Sequence, residues 1–275
     1  MNSISLGQYY PAESPIHRLD VRIKVVVAIL FVVCTFLCKN VLSFALLLSL
    51  ALLSIILSRL PIGLVARGVR PILIIIAITS LINIFFSTGA PENIVVDWWI
   101  FTIYREGIYN ALLMIVRFVC LIVGTSVFLT YTTTPIELTD AIEDLLWPLK
   151  KLGVPVHDFA MMMTIALRFI PLLVDETDKI MTAQKARGAD FSSGSLAQRA
   201  KALVPVLIPL FVSAFRRAEE LAVAMECRCY HGGEGRTRMN VRHVHAKDFV
   251  ALFGVILFGV GIVVLNTLNI GYSIS

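Results

Sequence analysis

Charge is scarce in this 275-residue chain: Asp, Glu, Lys and Arg make up 16% of it against 57% hydrophobic residues, outside the range of ordinary soluble domains. Mean hydropathy is +0.83, which places the chain in a bilayer. Motifs of nucleotide and hydrolytic chemistry are also missing: there is no Gly-x-x-x-x-Gly-Lys-Ser/Thr phosphate loop, no His-Glu-x-x-His and no Gly-x-Ser-x-Gly. If ATP drives this protein, another subunit binds it. Cysteine is limited to five residues without framework spacing, three of them (Cys34, Cys38, Cys120) in apolar segments, so no disulfide scaffold is indicated. The first twenty residues carry Pro11, Glu13, Pro15 and Asp20 ahead of any apolar run, unlike a cleaved signal. The net charge of +5 suits a membrane surface better than nucleic acid, because the basic residues alternate with carboxylates and long apolar runs.

A hydrocarbon core of ~30 Å takes about 20 mostly apolar residues to span. Five stretches approach this: Val25 to Leu37, Val41 to Leu57, Pro71 to Phe86, Ile108 to Leu129 and Phe249 to Leu268. The first two, separated around Lys39 and Asn40, read as a tight helical hairpin. Arg18, Arg22 and Lys24 precede the first span and Arg59, Arg67 and Arg70 follow the second, whereas the opposite loops hold only Lys39 and Arg105. The positive-inside rule then puts the N-terminus in the cytoplasm and the C-terminus outside, with Trp98 and Trp99 at the outer interface.

Four spans place residue 132 back in the cytoplasm, and the insert from there to Lys247 holds 15 of the 24 basic residues. Three helices are expected in it. Pro135 to Lys151 follows a Thr run that can cap it, with Pro135, Glu137 and Asp140 suited to a first turn. Val156 to Ala186 and Leu196 to Cys229 are long, on the order of 45 and 50 Å at 1.5 Å per residue. Phe159 to Val174 and Ala202 to Phe215 are apolar enough to imitate spans. The second is too short, and the first holds Arg168 and is flanked by Asp158, Asp175, Glu176 and Asp178. Such faces need a protein partner or an interfacial position, and Met161, Met162 and Met163 suit an adaptable contact surface. The expected fold is an all-α membrane protein. Residues 1–24 form a cytoplasmic segment, 25–131 four spans, 132–247 a cytoplasmic coupling-helix module, and 248–275 a last span with an external end.

Both long helices close on an arginine. The segments are Ala183-Gln184-Lys185-Ala186-Arg187-Gly188-Ala189-Asp190 and Ala224-Met225-Glu226-Cys227-Arg228-Cys229-Tyr230-His231-Gly232-Gly233. An Arg there can simply complement the helix dipole, by a few tenths of a kcal/mol. Its repetition 41 residues on (228 minus 187) suggests paired prongs for a two-fold partner, each offering a planar guanidinium fork that Lys cannot form. Ala66-Arg67-Gly68 has the same tripeptide but ends no long helix, and reads as a charge in the loop between spans two and three. Cys227, Cys229 and His231 lack a second ligand pair, and His243 and His245 are weaker, so no metal is assigned. Arg117, inside the fourth span, reads as a structural cation facing the bundle.

These motifs, with Gly7-Gln8-Tyr9-Tyr10-Pro11, Ser14-Pro15-Ile16-His17-Arg18-Leu19-Asp20, Thr132-Thr133-Thr134-Pro135 and Ala166-Leu167-Arg168-Phe169-Ile170-Pro171, resemble the transmembrane T component of energy-coupling factor (ECF) transporters over nearly the whole chain. The resemblance implies that Ala186-Arg187-Gly188 and the Glu226-Cys227-Arg228-Cys229 tip plug into grooves of two ABC-type ATPase subunits. It implies that the apolar helices, Met161 to Met163 among them, hold a membrane-embedded S component that binds a vitamin or similar micronutrient. ATP and Mg would sit on the partner subunits, with no cofactor, catalytic residue or nucleic-acid contact in this chain. The second tip departs from the family pattern, with Cys on both sides of its Arg. Two rival readings are an intramembrane enzyme using Glu219, Glu220 and Glu226 with His231, whose spacing fits no catalytic set, and a passive channel, for which the spans lack a polar stripe.

Overall fold

The computed structural model describes residues 9–86, 94–98, 101–191, 193–232 and 244–268. Nine α-helices are found among them: α1 (Val21–Leu37), α2 (Val41–Ser58), α3 (Ile62–Val69), α4 (Leu73–Phe86), α5 (Arg105–Thr125), α6 (Pro135–Leu145), α7 (Val156–Ala186), α8 (Leu196–Cys227) and α9 (Ala246–Thr267). The protein is an all-α membrane protein. Among the described residues, six helical stretches are long and apolar enough to cross a bilayer: Val41–Ser58, Ile62–Phe85, Arg105–Thr130, Val156–Ala186, Ala197–Cys227 and Ala246–Thr267. They include the two that sequence reading sets aside as spans, while α1 has 17 residues.

Local chemistry explains where the helices start. The Asp20 carboxylate accepts the Arg22 N–H at 2.9 Å and caps α1, so the helix begins four residues before the apolar run that marks it in sequence. Thr134 and Glu137 form a reciprocal capping box: each side chain accepts the other's backbone N–H, at 3.2 and 3.3 Å, to start α6. That helix does not run to Lys151. It stops at Leu145, and Trp147–Leu152 continue as a tighter 3₁₀ segment. Pro148 is the physical reason, since it lacks the N–H an α-helix would use and its ring crowds the preceding turn. A two-stranded hairpin is a second difference: β1 (Ile94–Trp98) pairs antiparallel with β2 (Phe101–Tyr104). Its β-branched residues carry the strand preference, and the apolar, aromatic stretch reads as an interfacial loop when only helical periods are sought. Trp98 ends β1; Trp99 lies outside the described residues.

Two compact units are found, one within residues 7–141 and 242–275, the other within 142–241. The first holds the main core, where Phe31, Leu47, Val127 and Ile262 are fully enclosed. In it α1 and α9 run parallel. At one end the Asp20 N–H donates to the Asp248 carboxylate at 3.0 Å. At the other, Asn266 donates to the Leu37 carbonyl at 2.6 Å and accepts from Ser43 at 2.9 Å.

The segment before α1 is fastened to the end of α5. The Tyr10 N–H donates to the Tyr131 carbonyl at 3.0 Å, and Lys24, only 1% exposed, donates to the Thr132 and His17 carbonyls at 2.8 and 3.2 Å. Sequence reading takes Lys24 for a topogenic charge; the structure makes it a buried tie. His17 Nε2 donates to the Tyr10 carbonyl at 3.0 Å, so neutral Nδ1 accepts from the Ser14 hydroxyl at 2.7 Å. Burial pushes its pKa below the usual 6.5, and nearby Lys24 adds to this. A depressed histidine pKa stabilises folding above 6.5 and loses that contribution as pH falls toward the folded value. We expect proteolytic protection of the 9–20 segment to be flat above pH 7 and to fall on acidification, and a His17→Gln variant to lose most of that slope.

Candidate functional site: two arginine-capped helix ends

The helices α7 and α8 form an antiparallel pair. Gln184 Nε2 reaches the Pro205 carbonyl at 3.4 Å, while Arg217 pairs with Glu176 at 3.2 Å, so rising numbers on one helix meet falling numbers on the other. The first contact has a backbone cause. Pro209 has no N–H to donate to the carbonyl four residues earlier, which leaves Pro205 open to the Gln184 amide. The second sets a centre. Arg187 lies 11 residues beyond Glu176 (187 minus 176) and Arg228 lies 11 beyond Arg217 (228 minus 217). At 1.5 Å per residue each tip stands about 16 Å from the ion pair, in opposite directions.

The two ends share one backbone geometry. At the first, the Gly188 N–H donates to the Lys185 carbonyl at 2.9 Å and the Ala189 N–H to Gln184 at 3.0 Å. At the second, the Cys229 N–H donates to Glu226 at 2.8 Å and the Tyr230 N–H to Met225 at 3.1 Å. Both are Schellman caps, which turn the chain through a left-handed residue and satisfy carbonyls the helix leaves open. Arg187 and Arg228 occupy the same capping position, at φ −85° and −92°. Both are exposed, together with Ala186, Gly188, Cys227 and Cys229.

This explains the altered second motif. Gly188 is left-handed at φ +89°, where glycine meets no penalty, and Cys229 holds the same place at φ +56°. A side chain with a Cβ there costs roughly 1–2 kcal/mol. Cys229 therefore retains the turn under strain. We expect Cys229→Gly to raise stability by about 1 kcal/mol in denaturant or thermal unfolding of the purified protein.

The remaining candidates sort by environment. Ala66-Arg67-Gly68 lies within α3, a short helix rather than the expected loop, and a Cβ on Gly68 would stand 2.5 Å from the buried Tyr131 hydroxyl. Close packing explains that glycine, and no turn is involved. Arg117 donates to the Cys38 carbonyl at 2.8 Å and lies over the Phe44 ring at 5.2 Å, a partnered structural cation. Glu219, Glu220 and Glu226 are exposed along α8. No three His, Cys, Asp or Glu side chains among the described residues converge on a metal-sized site; His243 and Gly233 lie outside them. Met162 and Met163 are 58% and 39% exposed, and with Phe211, Val212 and Phe215 they leave the α7–α8 unit with a wide apolar surface. Sequence reasoning missed the Glu176–Arg217 pair, whose 41-residue separation (217 minus 176) repeats that of the two arginines and was there to be read.

A unit built on apolar helices, and a second unit of two long helices ending in matched cationic caps, define a multi-pass membrane protein. Residues 12–239 match the family described as "Cobalt transport protein" (CbiQ). The energy-coupling factor transporter transmembrane protein EcfT of Clostridium kluyveri is 51% identical over 251 residues, covering 91% of this chain and 92% of its own. That of Bacillus subtilis is 48% identical over 257 residues (94% and 96%), and EcfT 1 of Listeria monocytogenes is 44% identical over 267 (97% and 99%). The chain belongs to this family, the transmembrane T components of ECF transporters.

Proposed function

We propose that the chain couples two ABC-type ATPase subunits to a membrane-embedded S component in an importer of a vitamin or similar micronutrient. One observation carries the reading: two identically capped arginines equidistant from the ion pair at the centre of an antiparallel helix pair. That pseudo-two-fold arrangement fits a pair of like subunits, each receiving one guanidinium in a groove lined by carboxylates or carbonyls. Ala186, Gly188, Glu226, Cys227 and Cys229 shape the two plugs. When ATP draws the ATPases together, the tips follow, and α7 and α8 pass the displacement to the S component on their apolar faces, where Met161, Met162 and Met163 are exposed or half-exposed. ATP and Mg are held by the ATPases, and this chain is non-catalytic.

In this reading the spans are α1, α2, α4, α5 and α9, with α7 and α8 on the cytoplasmic side. Arg168 and the acidic Asp175, Glu176 and Asp178 argue against burying α7 in lipid. The parallel course of α1 and α9 supports opposite sides for the two ends of the bundle. Ser273→Cys should then react with membrane-impermeant maleimide in intact cells; labelling only after lysis would refute this orientation. The function itself is tested by purifying the tagged chain in mild detergent. Two ATPase copies and a small membrane protein that binds a micronutrient should accompany it, whereas a solitary chain with turnover of its own would contradict the reading.

A further inference from the structure

A cavity of about 790 Å³ opens in the unit that contains α1, α2 and α9. Its lining has two parts. Leu50, Leu53, Leu57, Val27, Val255 and Phe258 make an apolar trough, and the cationic side chains Arg18, Arg59 and Lys247 stand at one end of it. That end is where α1 and α9 begin and α2 finishes, so the charges gather on one face of the bundle.

The charge balance at this end favours an anion. Asp248 has both carboxylate oxygens engaged by backbone, accepting the Asp20 N–H at 3.0 Å and the His245 N–H at 2.7 Å. Glu13 pairs with Arg18 at 3.3 Å with both side chains largely exposed, a weak and easily exchanged contact. Buried Lys24 adds a fourth cation to the lining, which among the described residues holds only these two carboxylates. Arg59 is held at φ +53°, a left-handed conformation unfavourable for a residue with a Cβ, and it is exposed and lines the cavity.

The depth of the trough matches the bilayer. From Lys247 to Phe258 along α9 is on the order of 16 Å, about half the ~30 Å hydrocarbon thickness, or one leaflet. We propose that this cavity holds a single anionic glycerophospholipid of the leaflet on the N-terminal side, its phosphate and acidic headgroup between Arg18, Arg59 and Lys247 and an acyl chain along Leu50, Leu53, Leu57 and Phe258. Guanidinium and ammonium groups recognise the phosphate, the apolar trough selects lipid over free anion, and the extra negative charge discriminates against zwitterionic lipid.

Native mass spectrometry of the full chain, incubated with equimolar phosphatidylglycerol and phosphatidylcholine, tests this. The wild-type protein should retain one phosphatidylglycerol in clear preference to phosphatidylcholine. R18Q/R59Q/K247Q should lower the phosphatidylglycerol adduct about tenfold and abolish the preference, while K179Q/K201Q/R216Q, which removes equal charge from the other unit, should change neither. Gly254 has open space where a Cβ would stand, so Gly254→Leu should fill the trough and reduce adducts of both lipids without altering charge. Preference surviving in R18Q/R59Q/K247Q, equal loss in the control, unchanged adducts in Gly254→Leu, or displacement of the lipid by millimolar inorganic phosphate would each overturn the proposal.

Discussion

Reversing both tip charges, R187E with R228E, is expected to abolish recovery of the ATPase subunits with the purified chain while its membrane insertion stays normal. Each single reversal should weaken association by about 2–5 kcal/mol, the range for losing one member of a buried charge pair. The alternative, that the arginines only complement the helix ends, predicts an effect of a few tenths of a kcal/mol on helix stability and none on assembly. R187K with R228K separates the two. Lysine keeps the charge at the helix terminus but cannot present a planar fork. Normal assembly in this variant would return the arginines to a capping role, and loss of assembly with intact folding would place them in a groove.

The second large effect lies in the core of the bundle. Gly124 on α5 lies against the ring of Phe31 on α1, so close that a Cβ would overlap it. Phe31 is fully buried and packs at 6.0 Å from the Phe128 ring, which leaves it little room to give way. Gly124→Ala should destabilise the protein by about 1–3 kcal/mol through overpacking, and Gly124→Leu should push α1 and α5 apart and prevent recovery of folded protein. Pairing Gly124→Ala with Phe31→Leu should restore part of the lost thermal stability. Additive losses in the double variant would show that the glycine serves some other purpose.

Much of this was legible in the sequence because bilayers impose simple rules on helices. The ends of α2 and α7 fall where apolar length, Pro155 and the Arg-Gly junction put them. What escaped was long-range and polar. Lys24 precedes an apolar run like any topogenic charge, and only the approach of the Thr132 carbonyl turns it inward. Likewise Gly124 looks like an ordinary helical glycine and Gly68 like a loop glycine until Phe31 and Tyr131 are placed beside them. The role of Cys229 was hidden for another reason: residue identity pointed away from glycine, while the hydrogen bonds of the cap required a left-handed residue. Length and composition class α7 and α8 with the spans, and only the proposed coupling role sets them outside the bilayer.

The most direct measurement puts a photo-crosslinking amino acid at Ala186 or at Cys227, leaving both arginines in place, in cells that express the whole transporter. Both positions are exposed and adjoin the tips. The account predicts adducts to an ATPase subunit from each position, with the two adducts forming together when both carry the probe. Adducts only to lipid or to the membrane-embedded partner, in an assembly that still transports, would contradict it.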